Sequence, residues 1–392
     1  MAAETARKFE ALEAQAQKIM QVFIKAGYEA VSPAIIQPAD IFLDVIGENL
    51  RARTYVFTDP DGSELCLRPD LTVPTCRLHI ERNGDPAAKG RYCYNGPAFR
   101  FQPVGADSAH PREFRQAGIE SIGAPEREKA DAQAVALIIE ALRAAGLKTF
   151  KLRIGDLGLF RALIKAIEMP DRWRQFLTHN FWRPEAFRTE LQRLARPAEE
   201  SLRAIPAALR ATIVPNDLAR SERAVIEYLS ANGIEPMGTR TVTEVASALM
   251  WRLADARAEP LAPGTVALIE RYLAISGPAK AAGACFKDLL RERSAAMNPV
   301  VESYHRRLQL MAEMGVDVVH TEFSAQFGRQ LEYYTGFVFE VISPNLGPAT
   351  PLAGGGRYDD LMRAAGAKRD VPAVGAAIHT ERLLSVVQGG VA

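Results

Sequence analysis

Asp70, Gln116 and Glu120 bring two carboxylates and an amide that together can hold an ammonium group and a polar ring. Arg100, Arg329 and Arg382 bring guanidinium forks able to grip a carboxylate or a phosphate through paired hydrogen bonds. Such an inventory suits an amino acid, or an amino acid beside a nucleotide. Asp70 also admits a plainer role. It lies in "LRPDLTVPTCRLHI", two residues ahead of Thr72 and just before an apolar-periodic segment. There an acid caps a helix by satisfying N–H groups that lack an intrahelical partner.

The strands that would carry these groups are legible from alternation. "RYCYNGPAFRF" and "REFRQAGIESIG" are β-type runs joined by "QPVGADSAHP", a segment long enough to let them pair antiparallel. Side chains alternate along a strand, so Phe114, Gln116, Gly118 and Glu120 share one face, and Glu113, Arg115, Ala117 and Ile119 the other. On the preceding run Tyr94, Gly96, Ala98 and Arg100 share a face. Glycine weakens a strand interior and marks close approach of a ligand or another backbone, so Gly96 and Gly118 beside Arg100, Gln116 and Glu120 describe a polar floor with room above it. The wet side of an ordinary antiparallel sheet fits the same pattern. Further on, "RQLEYYTGFVFEVI" (329–342) is dense in aromatic and β-branched residues and reads as a strand, with the glycine-rich turn "AGGGRYDDL" (353–361) after it. In a regular strand Tyr333 and Tyr334 point to opposite faces, so only one of them enters a site.

Around these elements the chain falls into three regimes. Residues 1 to about 30 form an amphipathic helix on Phe9, Leu12, Ala16, Ile19, Met20 and Phe23, stopped near Gly27. Up to Gly123 the texture is β, with "TYVFTD" and "ELCLR" ahead of the two runs above. Then come a helix ended by Gly146 and a short strand in "KTFKLRIGD". The expected organisation is a core in two parts, 1–160 and 316–392, separated by a mostly helical insertion, 161–315. The second part returns to strand, interrupted at "SAQFG", and closes on a helix at "ERLLSVV".

Composition bounds the partners. At 392 residues, 48% apolar and 24% charged, the chain can bury ample core and divides into two or more lobes. No apolar run approaches the roughly 18 residues of a membrane span, and acids interrupt the N-terminal helix, so neither a membrane nor a signal peptide is expected and the compartment is the cytoplasm. Cys66, Cys76, Cys93 and Cys285 lack CxxC spacing, which predicts buried, reduced thiols and neither disulfides nor a metal site. A net charge of +1 makes nucleic acid an unexpected partner. The basic stretch "RWRQFLTHNFWRPEAFR" (172–188) reads as an amphipathic helix with a solvated face.

Taken in order, "LRPDLT", "GPAFR", "REFRQAGIESIG", "RQLEYYTGFVFE", "GGGRYDDL" and "PAVGAAIHTERLL" resemble the catalytic core of histidyl-tRNA synthetase, a class II aminoacyl-tRNA synthetase. "GYEAVSPAIIQPADIF" resembles the dimer-forming first motif of that class, around Pro33. The resemblance implies an α+β fold, an antiparallel sheet flanked by helices. It matches Asp70, Thr72 and Gln116 to the group around a histidine α-ammonium, with aspartate where glutamate is usual. Glu120 and Tyr334, beside Tyr333, match the grip on the imidazole, and Arg329 the arginine at the carboxylate. Arg100 matches the arginine at the α-phosphate, Phe114 the ring under adenine, and Arg382 the arginine at the triphosphate tail.

Three departures redirect that expectation. Gln102 stands where an acid helps hold the nucleotide, and "HTER" replaces "GLER", so that His379 fills a space usually left by glycine. A packed histidine plugging a vestigial nucleotide site is expected, with a new catalytic base as the alternative. The chain stops ten residues after Arg382, without the anticodon-binding domain of about a hundred residues. The pattern is similar to the synthetase-derived regulatory subunits of ATP phosphoribosyltransferase. That resemblance implies a non-catalytic dimer, without cofactor, that joins a short-form catalytic subunit in a hetero-octamer at the first step of histidine biosynthesis and takes part in feedback inhibition by histidine. The rival expectations are a truncated ligase that forms histidyl-adenylate and a structural dimer whose pocket is dead and whose surface scaffolds a partner.

Overall fold

The computed structural model describes residues 5–43, 51–102, 111–181, 183–196, 202, 205–214, 216–234, 241–255, 258–289, 294–328 and 333–389. Twelve strands are found among them: β1 (Glu29–Ala30), β2 (Ile36–Pro38), β3 (Val56–Thr58), β4 (Glu64–Leu67), β5 (Gly90–Phe99), β6 (Glu113–Ile122), β7 (Lys151–Asp156), β8 (Ser276–Pro278), β9 (Glu322–Ser324), β10 (Phe337–Ile342), β11 (Ala353–Arg357) and β12 (Ala373–His379). Nine form one sheet in the order β1-β5-β6-β12-β11-β10-β7-β9-β8, and β2-β4-β3 form a small second sheet.

The centre of the large sheet, from β5 to β7, is antiparallel throughout, and the parallel pairs β1/β5 and β7/β9 lie outside it. β5 and β6 pair as alternation requires, with Tyr94 opposite Gly118 and Gly96 opposite Gln116. The glycine-rich "AGGGR" is itself a strand, β11, between β10 and β12. Helices Ala6–Lys25, Arg127–Ala144 and Thr380–Val387 pack on the sheet. The first starts on a Thr5 cap whose hydroxyl accepts from the Lys8 N–H at 3.3 Å. It buries Leu12, Gln15, Ala16, Ile19 and Phe23, leaves Phe9 in solvent, and stops where Gly27 takes φ +84°.

The chain separates into two compact units, residues 1–166 with 271–392, and residues 167–270. The helical unit is thus narrower than the expected 161–315 insertion. Residues 271–315 belong with the large sheet because helix Ala279–Leu289 packs on β8 and β9, and helix Ser294–Glu313 packs on helices Arg127–Ala144 and Leu157–Ala166. The helical unit has its own core, including Leu209, Val225, Ala246 and Leu249. Its basic stretch forms two helices, Asp171–His179 and Pro184–Leu194, that bury Trp173, Leu177 and Phe187. Buried Asp255 accepts from Trp173 Nε1 at 2.6 Å, from Arg193 at 3.1 Å and from Arg172, so that arginine is paired within the unit.

Two further expectations change. The tyrosine pair precedes the strand, which begins only at Phe337, so alternation does not govern Tyr333 and Tyr334. Cys66, Cys76 and Cys93 are buried, whereas Cys285 is exposed on helix Ala279–Leu289. All four thiols are free.

Candidate functional site

β4 ends at Leu67 and the chain then crosses under β5, anchored by Arg68. This buried guanidinium donates to the carbonyl of Pro97 at 2.8 Å and to that of Pro33. Gly96 leaves space for this guanidinium, since a Cβ there would stand 2.6 Å from Arg68 Nη2. Arg68 was invisible as a site residue in the sequence, although it begins the "RPD" step that delivers Asp70. Asp70 Oδ1 accepts from the Val73 N–H at 3.2 Å at the start of helix Thr72–Arg82, so the capping role is real. Its second oxygen is buried without a hydrogen bond of standard geometry. Burial raises the pKa of Asp70, opposed first by the charge of Arg100 and then by N–H groups and the Tyr333 hydroxyl.

Glu120, on β6, is fully buried. Its Oε1 accepts from Thr72 Oγ1 at 2.7 Å and Tyr94 Oη at 2.9 Å, and its Oε2 accepts from Tyr358 Oη. Burial pushes its pKa up to about 7, held back by these three hydroxyls and raised further by the Asp70 charge. Gly375 on β12, directly opposite, leaves space for this carboxylate, since a Cβ there would lie 1.6 Å from Glu120 Oε2. Gln116, two pleats along, is buried with its Oε1 unpartnered. Asp70 and Gln116 each keep a buried oxygen without a hydrogen bond of standard geometry, on the same side of the sheet as a carboxyl group wrapped in hydroxyls, a set suited to an ammonium and a polar ring.

The expected room above the glycines is partly used by the chain itself. A Cβ on Gly118 would meet Tyr94 Oη at 2.6 Å, and one on Gly356 would meet the Tyr334 ring at 2.9 Å. Tyr333 and Tyr334 are both buried, with ring centroids 4.9 Å apart, and the Tyr333 ring lies edge-on to Tyr358 at 5.8 Å. Both tyrosines thus wall one region, where strand alternation had admitted one. Arg329 falls outside the described residues.

At the other end of β6, Phe114 is flanked by two partners. The Arg100 guanidinium carbon lies 5.0 Å from its ring centroid, and the His379 ring 5.4 Å away at a 40° tilt. Arg100 also donates to the Pro69 carbonyl at 2.9 Å. His379 closes β12 opposite Gln116 and is buried. Gln102 lies just past β5, where its carbonyl accepts from Arg112 at 2.9 and 3.1 Å. Arg382, in helix Thr380–Val387, donates to the Pro351 carbonyl at 2.9 Å.

Tyr94 and Tyr358, both in contact with Glu120, were not singled out as site residues. Tyr94 shares the face of Gly96 and Arg100, which was the available signal. The neighbours of Tyr358 explain the rest of "GGGRYDD". Arg357 donates to Asp131 Oδ1 at 2.7 and 3.0 Å and to Asp359 at 2.9 Å, while Arg307 bridges Asp131 at 2.8 Å and Asp156 at 2.7 Å. These five charged groups are all buried, and they tie helices Arg127–Ala144 and Ser294–Glu313 to β7 and β11.

The antiparallel sheet with its flanking helices, carrying the carboxylate–amide–hydroxyl cluster on β6, defines a class II aminoacyl-tRNA synthetase-type core. A family model described as histidyl-tRNA synthetase matches residues 4–234 and 250–383. The ATP phosphoribosyltransferase regulatory subunit of Brucella anthropi is 32% identical over 360 residues, 92% of this chain and 93% of that protein. The same-named protein of Brucella canis is 32% identical over 356 residues, 91% of this chain and 92% of that one. The chain belongs to the histidyl-tRNA synthetase family, in its branch of ATP phosphoribosyltransferase regulatory subunits. Solved structures agree on the fold. An ATP phosphoribosyltransferase regulatory subunit/histidyl-tRNA synthetase from Bacillus halodurans has a TM-score of 0.64 at 20% identity, covering 99% of this chain and 82% of that one. A histidyl-tRNA synthetase from Nostoc sp. has a TM-score of 0.63 at 16% identity, covering 99% and 76%.

Proposed function

We propose that this chain activates a short-form ATP phosphoribosyltransferase catalytic subunit at the first step of histidine biosynthesis, performs no catalysis itself, and carries the pocket through which histidine acts as a feedback signal. The observation that carries the reading is the similarity, along 92% of the chain, to regulatory subunits of that enzyme. In the pocket, the α-ammonium of L-histidine lies against Asp70 and Gln116, each with a buried oxygen lacking a hydrogen bond of standard geometry, which supports that role, with Thr72 alongside. The imidazole lies at Glu120 beside Tyr333 and Tyr334, and Arg329 meets the carboxylate. The packing of His379 against Phe114 supports a nucleotide site that is closed, with Arg100, Gln102 and Arg382 as its remnants. Dimers of the chain join catalytic subunits in a hetero-octamer, and histidine biases that assembly by a coupling of about 1–3 kcal/mol.

The test is co-purification with a cognate short-form catalytic subunit, followed by its activity with and without this chain. Activation supports the proposal, and failure to bind or to respond overturns it. Histidine-dependent exchange of pyrophosphate with ATP would instead make the chain a ligase forming histidyl-adenylate.

A further inference from the structure

The surroundings of Glu120 carry a consequence for how a ligand is held. Its two oxygens offer about four acceptor positions, and Thr72, Tyr94 and Tyr358 take three of them. One position is left for a single donor from a ligand. No lysine, arginine or histidine forms an ion pair with Glu120 among the described residues. The titratable groups around it are Asp70 and Cys76 at the start of helix Thr72–Arg82, Tyr94 on β5, Tyr28 before β1, Tyr333, and Tyr358 after β11. From β12 comes only Gly375, which has no side chain. Among the described residues, then, a bare carboxylate here has no cation paired with it, and a second buried acid stands next to it. Such a group takes a proton unless an arriving ligand brings one.

We propose that Glu120 and the imidazole of bound histidine hold one proton between them, and that Tyr358 positions the carboxyl group for this exchange. This rests on the pocket reading above and adds a proton count to it. With Glu120 titrating at about 7 in the free protein and an ordinary imidazole at about 6.5, the free partners together carry more than one proton below this range and fewer above it. Binding then releases protons at acid pH and takes them up at alkaline pH. Affinity is greatest between about pH 6.5 and 7 and falls toward tenfold per pH unit on either side. A ring analogue that offers no N–H donor forfeits the remaining position on Glu120. Tyr358 donates to the charged form, so without its hydroxyl the carboxyl group holds its proton more tightly and the alkaline limb moves to higher pH.

The experiment is isothermal titration of L-histidine into the full chain, alone and with the catalytic subunit added, from pH 5.5 to 8.5 in buffers of different ionisation enthalpy. The expected result is a bell-shaped affinity with proton release at pH 5.5 and uptake at pH 8.5. Glu120→Gln should flatten the alkaline limb while keeping any contribution from the ligand's own ammonium. Tyr358→Phe should shift that limb upward, a change that a merely structural role for Tyr358 would not produce. Tight binding with a flat profile and no proton exchange overturns the proposal and leaves the pocket reading standing. Absence of histidine binding at every pH overturns the pocket reading itself.

Discussion

The two ends of β6 share a face and a neighbouring strand, yet β12 treats them oppositely. Opposite Glu120 it presents Gly375, and the carboxylate fills the space that glycine leaves. Four residues on, it presents His379, whose ring packs beside Phe114. At the first end a buried carboxyl group is wrapped in the hydroxyls of Thr72, Tyr94 and Tyr358. At the second, an aromatic ring sits between a guanidinium and an imidazole. The contrast comes from the choice of side chain at two positions of a single strand, none at Gly375 and an imidazole at His379.

The sharpest way to break the comparison is to fill the space at Gly375. Gly375→Ala puts a methyl group where Glu120 Oε2 stands, so the carboxylate must move and lose Tyr358. We expect histidine affinity to fall by at least about a hundredfold, with overpacking costing about 1–3 kcal/mol of stability. Titration calorimetry and denaturant unfolding measure the two. Retained affinity would mean that Glu120 does not form the pocket.

Arg357→Met acts first on the fold, because it strips Asp131 and Asp359 of a shared buried cation. Removing one partner of such a network costs about 3–5 kcal/mol, read as a lower unfolding midpoint. Because Tyr358 lies between Arg357 and Asp359, a loss of histidine affinity in the same variant would show that the network also holds the pocket in shape.

His379→Gly probes the other end. Removing the ring leaves a face of Phe114 free to stack a base, an interaction of about 1–3 kcal/mol, so ATP affinity should rise about tenfold at a small cost in stability. Equilibrium dialysis with ATP measures it. No gain would mean that His379 is not what closes that space.

The sequence carried the centre of the fold well. Alternation paired β5 with β6, and Gly27 and Gly146 marked true helix ends at φ +84° and +103°. It misled where local composition and tertiary demand diverge. "RQLEYY" has strand-type residues, yet Tyr333 and Tyr334 turn inward together because Tyr358 and the Gly356 gap receive them. "AGGGRYDDL" looks like a turn, yet its glycines form a strand in which neighbours leave Gly355 and Gly356 no room for a Cβ. In the candidate site, Gln116 and Glu120 stood out because polar groups at alternate positions beside glycine are unusual, Asp70 because it is an acid placed before a helix, and Thr72 only through the resemblance to the synthetase motif. Tyr94, Tyr358 and Arg68 were not, because their roles depend on residues distant in the chain. The ion network of Asp131, Arg307 and Arg357 was hidden for the same reason.

The most direct test of a retained histidine pocket is the activity of the short-form catalytic subunit across rising L-histidine, with either the wild-type chain or Asp70→Asn. In the proposed placement the substitution removes the charge facing the ligand's ammonium, and a hydrogen bond to a charged group contributes about 1.5–3 kcal/mol. The Asp70→Asn complex should therefore need at least about tenfold more histidine for half-inhibition. Superimposable inhibition curves would contradict the account and move the histidine signal away from this sheet.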